Sequence, residues 1–172
     1  VVYQDLVKIN MEAENGSLAN KPLLAKALEY ARANNKKIHL IGLVSDGGVH
    51  AHINHAKALC TWAAQNNWKD LYIHAFTDGR DTDPKSGIGF ITELMTHSQD
   101  TAGEVVSVVG RYYAMDRDKR WERNKLAWDA IVLGRGEVRS DLPSAAVQAA
   151  YPKDPRGDEF MQPMIFSNAN EQ

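Results

Sequence analysis

The chain has 172 residues, of which 44% are hydrophobic and 24% charged, with a formal net charge of −2. That is enough for one globular domain with a core, and the near-neutral balance argues against a broadly basic nucleic-acid or membrane-binding surface. A single cysteine, Cys60, excludes an intrachain disulfide and a four-cysteine zinc site, and it fits a reducing, cytoplasmic setting.

The opening VVYQDLVKIN lacks the charged-then-apolar form of a signal peptide and reads as a strand-like run. Asn20 then reads as a helix cap with Pro22 in the first turn, and Leu23, Leu24, Ala27, Leu28 and Ala31 form one apolar face. Residues 37–44 (KIHLIGLV) suit a buried strand. A polar loop over 45–52 leads to a second helix over 53–67, with Ala56, Leu59 and Ala63 inward and Trp62 a further inward candidate. Residues 71–76 (LYIHAF) form a second strand, 77–87 a turn-rich loop, 88–97 a third helix and 104–109 (EVVSVV) a third strand. Asp118 reads as the cap of a fourth helix, whose Trp121, Trp128, Ile131 and Val132 share a face. Beyond Gly134 the pattern thins to a short helix over 144–151, a Pro/Gly-rich loop and an edge strand over 158–166 that Pro163 weakens. The closing FSNANEQ has no capping element, so both ends read as interior to a longer chain. No apolar run approaches the ~18 residues that span a bilayer.

Strands alternating with helices imply a single α/β domain with a mostly parallel sheet flanked by helices. In such a sheet the loops that follow the strands emerge at one edge, where ligands bind. Those loops are SDGGVHAHINH, TDGRDTDP and GRYYAMDRDKRWER. The third carries Arg111 just past its strand, then Arg117, Arg120 and Arg123 among Asp116, Asp118 and Glu122. A guanidinium grips phosphate or carboxylate with two parallel hydrogen bonds. Arg120 and Arg123, inside the predicted helix, are read first as a solvated, salt-bridged helix start, whereas Arg111 at the strand end is read as a ligand group. In the second loop Arg80 can anchor an anion while Asp81 moves a proton. The alternative is an Asp-rich turn, which suits Asp78 and Asp83.

The first loop supplies two glycines and His50, His52 and His55. Their spacing leaves a zinc site open, but His50 and His52 cannot share a helix face and no fourth ligand is defined. His50 is preferred as a group that binds an anion or shuttles a proton. His39 and His74, inside strands, read as packing residues. Ser45 has no partnered base to make it a nucleophile. Arg156-Gly157-Asp158 matches a short integrin-binding motif but is too short to be specific, and is read as loop.

LVSDGGVHAH, FTDGRDTDP and GRYYAMDRDKRWER resemble, in order and spacing, the cofactor-independent (2,3-bisphosphoglycerate-independent) phosphoglycerate mutases, as do VYQDLVKIN and GDEFMQP at the ends. The resemblance implies a two-domain glycolytic isomerase interconverting 3-phosphoglycerate and 2-phosphoglycerate through a phosphoserine. One domain would resemble alkaline phosphatases and hold two manganese ions and the serine. Residues 1–172 would be the inserted substrate-binding (phosphotransferase) domain, without metal ligands of its own. His50, Arg80, Asp81, Arg111 and Arg117 would contact phosphoglycerate, with Asp81 the acid–base candidate. Ala51 stands where the family commonly has serine. A binding module or sensor for a phosphorylated acid is the rival reading of the chain taken alone.

Overall fold

In the computed structural model, which describes residues 2–166, the chain begins with helix α1 (Asp5–Glu14), where the sequence reads as a strand. Side-chain alternation alone is a poor guide there, because the segment packs as an amphipathic helix beside a later helix and pairs with no strand. A 3-10 turn (Ser17–Asn20) joins it to α2 (Pro22–Ala33). Asn20 belongs to that turn, so Lys21 occupies the cap position without a side-chain cap, and Pro22 supplies the preset φ. Only Leu28 and Ala31 of the expected face are buried, and Leu23 is 76% exposed.

The elements that follow are β1 (Ile38–Leu43), α3 (Ile53–Gln65), β2 (Leu71–Thr77), α4 (Gly87–Asp100) and β3 (Glu104–Gly110). Then come the short α5 (Arg111–Ala114), α6 (Trp121–Leu133), β4 (Glu137–Arg139), α7 (Pro143–Ala150), a 3-10 turn (Asp158–Phe160) and β5 (Met164–Phe166). The sheet order is β1-β2-β3-β5-β4. The pairs β1·β2, β2·β3 and β4·β5 are parallel, and β3·β5 is antiparallel. The architecture is thus the expected single α/β unit with a mostly parallel sheet.

The differences lie at the margins. β1 is an edge strand, with Ile41 57% exposed, not a buried one. The closing strand shrinks to Met164–Phe166 and lies inside the sheet between β3 and β4, while the residues before it form a turn and a crossing strap. The expected ending after Phe166 lies outside the described residues.

Period-two alternation splits the strand residues between two cores. Leu71, Ile73 and Ala75 of β2 face Cys60, Ala63, Ile91, Leu94 and Val147 from α3, α4 and α7. Phe76 of β2 and Val109 of β3 face Tyr113, Ala127 and Ala130 from α5 and α6. A bulge shifts the β2·β3 register after Ile73, which puts Val105 and Val108 on the first face and Ser107 opposite His74 on the second. α6 buries its alanines, not its tryptophans: Trp121 is 71% and Trp128 53% exposed, and Val132 is exposed as well. Small side chains let that helix lie close to the sheet, which turns the expected aromatic face outward.

Candidate functional site

The carboxyl ends of β1, β2 and β3 point the same way, so Ser45, Asp78 and Arg111, each within two residues of a strand end, become neighbours. Polar contacts tie them together. The Ser45 hydroxyl donates to Asp78 Oδ2 at 2.7 Å. The backbone N–H groups of Arg80 and Asp81 donate to Asp78 Oδ1 at 3.2 and 3.0 Å, an Asx turn of the expected kind. Asp83 accepts likewise from the Lys85 N–H at 2.9 Å. Arg111 Nη1 donates to Asp78 Oδ1 and to Asp81 Oδ2, both at 2.6 Å.

This is a buried ionic cluster. Burial pushes the Asp78 carboxyl upward, but the Asp81 N–H, the Ser45 hydroxyl, Arg111 and the Arg80 N–H outweigh it and hold the group below its ordinary range. Burial works against the charge of Arg111 too, yet hydrogen bonds to Asp81 and Asp78 and their negative charge raise its pKa above the usual guanidinium value. Asp78 and Arg111 therefore stay ionised at neutral pH.

A second device braces the loops. The strap over residues 158–161 crosses the ends of β2 and β3. The Asp158 carboxylate, fully buried, accepts from the Gly87 N–H at 2.7 Å and the Tyr151 hydroxyl at 2.8 Å, and its carbonyl accepts from the Thr77 hydroxyl at 2.7 Å. Burial raises the Asp158 pKa despite these bonds, and the charges of Asp83 and Asp78 push the same way. Two glycines make the crossing possible. A Cβ on Gly79, which has φ +66°, would meet the Glu159 nitrogen at 2.7 Å, and one on Gly110 would meet the Met161 nitrogen at 2.5 Å. The Arg156-Gly157-Asp158 tripeptide is therefore loop as expected, with its aspartate used to hold the fold together and not displayed.

Above the cluster lies a cleft of about 560 Å³. His50, Arg80, Asp81, Arg111 and Arg117 all line it. Arg111 is buried and forms the floor, while Arg117 and His50 are exposed at the mouth. Arg80 is half-exposed and pairs with Glu159 at 3.3 Å. Arg117 makes no ion pair among the described residues, so its charge faces the open cleft. Tyr112, Arg123, Asp116 and Glu159 also line the cleft and were not singled out from the sequence as ligand groups. Arg123 lies over the Tyr112 ring, 3.9 Å from its centroid, and pairs with Asp116 at 3.3 Å. The salt-bridged reading of Arg123 thus holds in its contacts, but its face is turned to the cleft. Asp116, not Asp118, serves the helix start, accepting the Arg120 N–H at 2.8 Å.

The zinc reading of the first loop fails on geometry. His52 Nδ1 accepts the Asn54 N–H and His55 Nδ1 accepts the His52 N–H, a capping box for α3. His55 Nε2 is 2.6 Å from Asn10 Oδ1, so both of its ring nitrogens are in use. Ser45 is buried with its hydroxyl committed to Asp78, which removes it as a nucleophile. His74 is a buried strand residue, but it is hydrogen-bonded on both sides, to exposed His39 at 2.9 Å and to Ser107 at 2.8 Å.

The chain is thus an α/β protein with a doubly braced cleft at the carboxyl edge of its sheet, and the arginines that line it have the chemistry to hold an anion. The family model described as BPG-independent PGAM N-terminus matches residues 9–172, and the chain belongs to that family. It is 49% identical over 170 residues to the 2,3-bisphosphoglycerate-independent phosphoglycerate mutase of Flavobacterium johnsoniae, covering 99% of this chain and 33% of the relative. It is 49% identical over 172 residues to the enzyme of the same name from Akkermansia muciniphila, covering 100% and 33%. A crystal structure of Leishmania mexicana phosphoglycerate mutase at low cobalt concentration superposes with a TM-score of 0.85 at 26% identity, over 100% of this chain and 33% of that one. The chain thus spans about a third of the length of the relatives it matches.

Proposed function

We propose that residues 1–172 form the substrate-binding (phosphotransferase) domain of a cofactor-independent phosphoglycerate mutase, a cytoplasmic glycolytic isomerase that interconverts 3-phosphoglycerate and 2-phosphoglycerate. One observation carries this reading: His50, Arg80, Asp81, Arg111 and Arg117, drawn from three separate loops, line one cleft. A phosphoglycerate carries both a phosphate and a carboxylate, and separate cationic groups suit both. Arg111 can take one oxyanion in a two-pronged contact. Arg80, Arg117 and His50 supply further positive or hydrogen-bonding groups at the mouth. Asp81 is the acid–base candidate for a glycerate hydroxyl, since only its Oδ2 is held by Arg111. Enclosing glycerate while its phosphoryl group is parked on a serine limits loss to water.

The serine and the two manganese ions belong, in this reading, to a partner domain resembling alkaline phosphatases. Among the described residues no three His, Cys, Asp or Glu side chains converge as a metal site. The chain by itself should therefore bind phosphoglycerate without converting it. Incubation with 3-phosphoglycerate and manganese, followed by assay of 2-phosphoglycerate, should show no turnover, and robust turnover would sink the two-domain reading. Calorimetric titration with 3-phosphoglycerate should give binding that Arg111→Ala and Arg80→Ala weaken. Unchanged affinity in both variants would mean that the ligand sits elsewhere.

A further inference from the structure

Asp78 and Ser45 stop short of the cleft. The Asp78 side chain is 3% exposed and Ser45 is 2% exposed, and neither lines the opening. An Asx turn needs only the two backbone bonds that Asp78 accepts. The Ser45 hydroxyl and Arg111 Nη1 are additional, and they run in one line across the ends of three adjacent strands. At the end of that line Arg111 commits both Nη1–H bonds, one to Asp78 and one to Asp81. Its Nε and Nη2, with three further N–H bonds, have no partner among the described residues, and the residue borders the cleft. An arginine free to sample rotamers would lose that freedom when an anion binds, whereas one already clamped has lost it on folding.

We propose that Ser45 and Asp78 are positioning residues that lock the guanidinium of Arg111 so that its unused Nε–Nη2 edge faces the anionic group of the ligand. This rests on the cleft being the phosphoglycerate site. It also has a sign that charge alone would reverse. A carboxylate beside Arg111 weakens the pull on an incoming anion, so removing its charge should tighten binding if attraction were all that mattered. Positioning requires the opposite.

The experiment is a double-mutant cycle on the 172-residue chain, titrated with 3-phosphoglycerate. Asp78→Asn preserves shape and an acceptor oxygen. It should weaken binding by about tenfold, the low end of what losing an orienting hydrogen-bond partner costs at metal sites. In an Arg111→Lys background the same change should matter less than about twofold, because its effect passes through the guanidinium. Ser45→Ala should give a smaller loss with the same dependence on Arg111. Unchanged or tighter binding by D78N overturns the proposal, as does an equal loss in both backgrounds. Should D78N not fold, S45A takes its place with the same two outcomes. If the parent chain binds no phosphoglycerate, the functional reading fails, and the Arg111 Nε–Hε NMR signal still decides the positioning. A sharp signal in the parent that broadens in D78N supports it, and an unchanged one overturns it.

Discussion

The imidazole of His74 is buried, and burial, with neighbouring His39 adding to it, pulls its pKa down to about 4. The sign follows directly. Above the ordinary value of about 6.5 both folded and unfolded chains carry it neutral, and its share of stability is fully present. As pH falls from there toward 4, the unfolded chain takes up a proton that the folded one refuses, and stability drains away by an amount on the order of 3 kcal/mol. Urea unfolding at pH 7 and pH 4.5 should show that loss, and His74→Gln should flatten it; an equally steep fall in the variant would assign the effect to other groups. At this scale His50, Arg80, Asp81 and Arg111 were legible because strand-end loops must converge, whatever the details of packing, while Arg117 was picked out by the family resemblance. Asp78 was legible only in its turn role, since its bonds to Ser45 and Arg111 join positions 33 residues away on either side. Glu159 and Tyr112 carried no signal of their own, because their places depend on where the strap crosses.

Elements with strong periodicity and tight flanking turns emerged almost as read, namely α3, β2, α4 and β3, and α7 matched its fainter pattern within a residue at each end. Those that failed share a cause, dependence on a distant partner. β4 is three residues long and pairs only with β5 among the described strands. α6 presents tryptophans outward because Ala127 and Ala130 already fill the narrow gap to the sheet. The strap is the element whose tolerance is easiest to probe. Gly110→Ala places a methyl group against the backbone of Glu159 and Met161, where no flexible side chain can yield. It should cost about 1–3 kcal/mol, as other overpacked sites do, and it should weaken phosphoglycerate binding by displacing Glu159 from Arg80. Leu94→Ala, by contrast, removes a fully buried side chain of α4 on the face away from the cleft. It should cost about 2–5 kcal/mol in chemical denaturation while leaving the affinity of the remaining folded protein unchanged.

For the molecule as a whole, the α/β class and the edge that carries the cleft were readable from the order of elements, but the sheet's closing topology was not. β5, the last of the described strands, is inserted between β3 and β4 and runs antiparallel to β3. That position has a consequence in time. During synthesis, β1, β2 and β3 can pair as they appear, whereas β4 must wait without a sheet partner until residues 164–166 have emerged. Contacts between distant parts of a chain are the slow ones to form. The strap that crosses Gly79 and Gly110 immediately precedes β5, so the cleft acquires its brace in the same late step that completes the sheet. The cleft is therefore framed late, and a nascent chain halted before the strap would carry Arg80 and Arg111 without the frame that sets them.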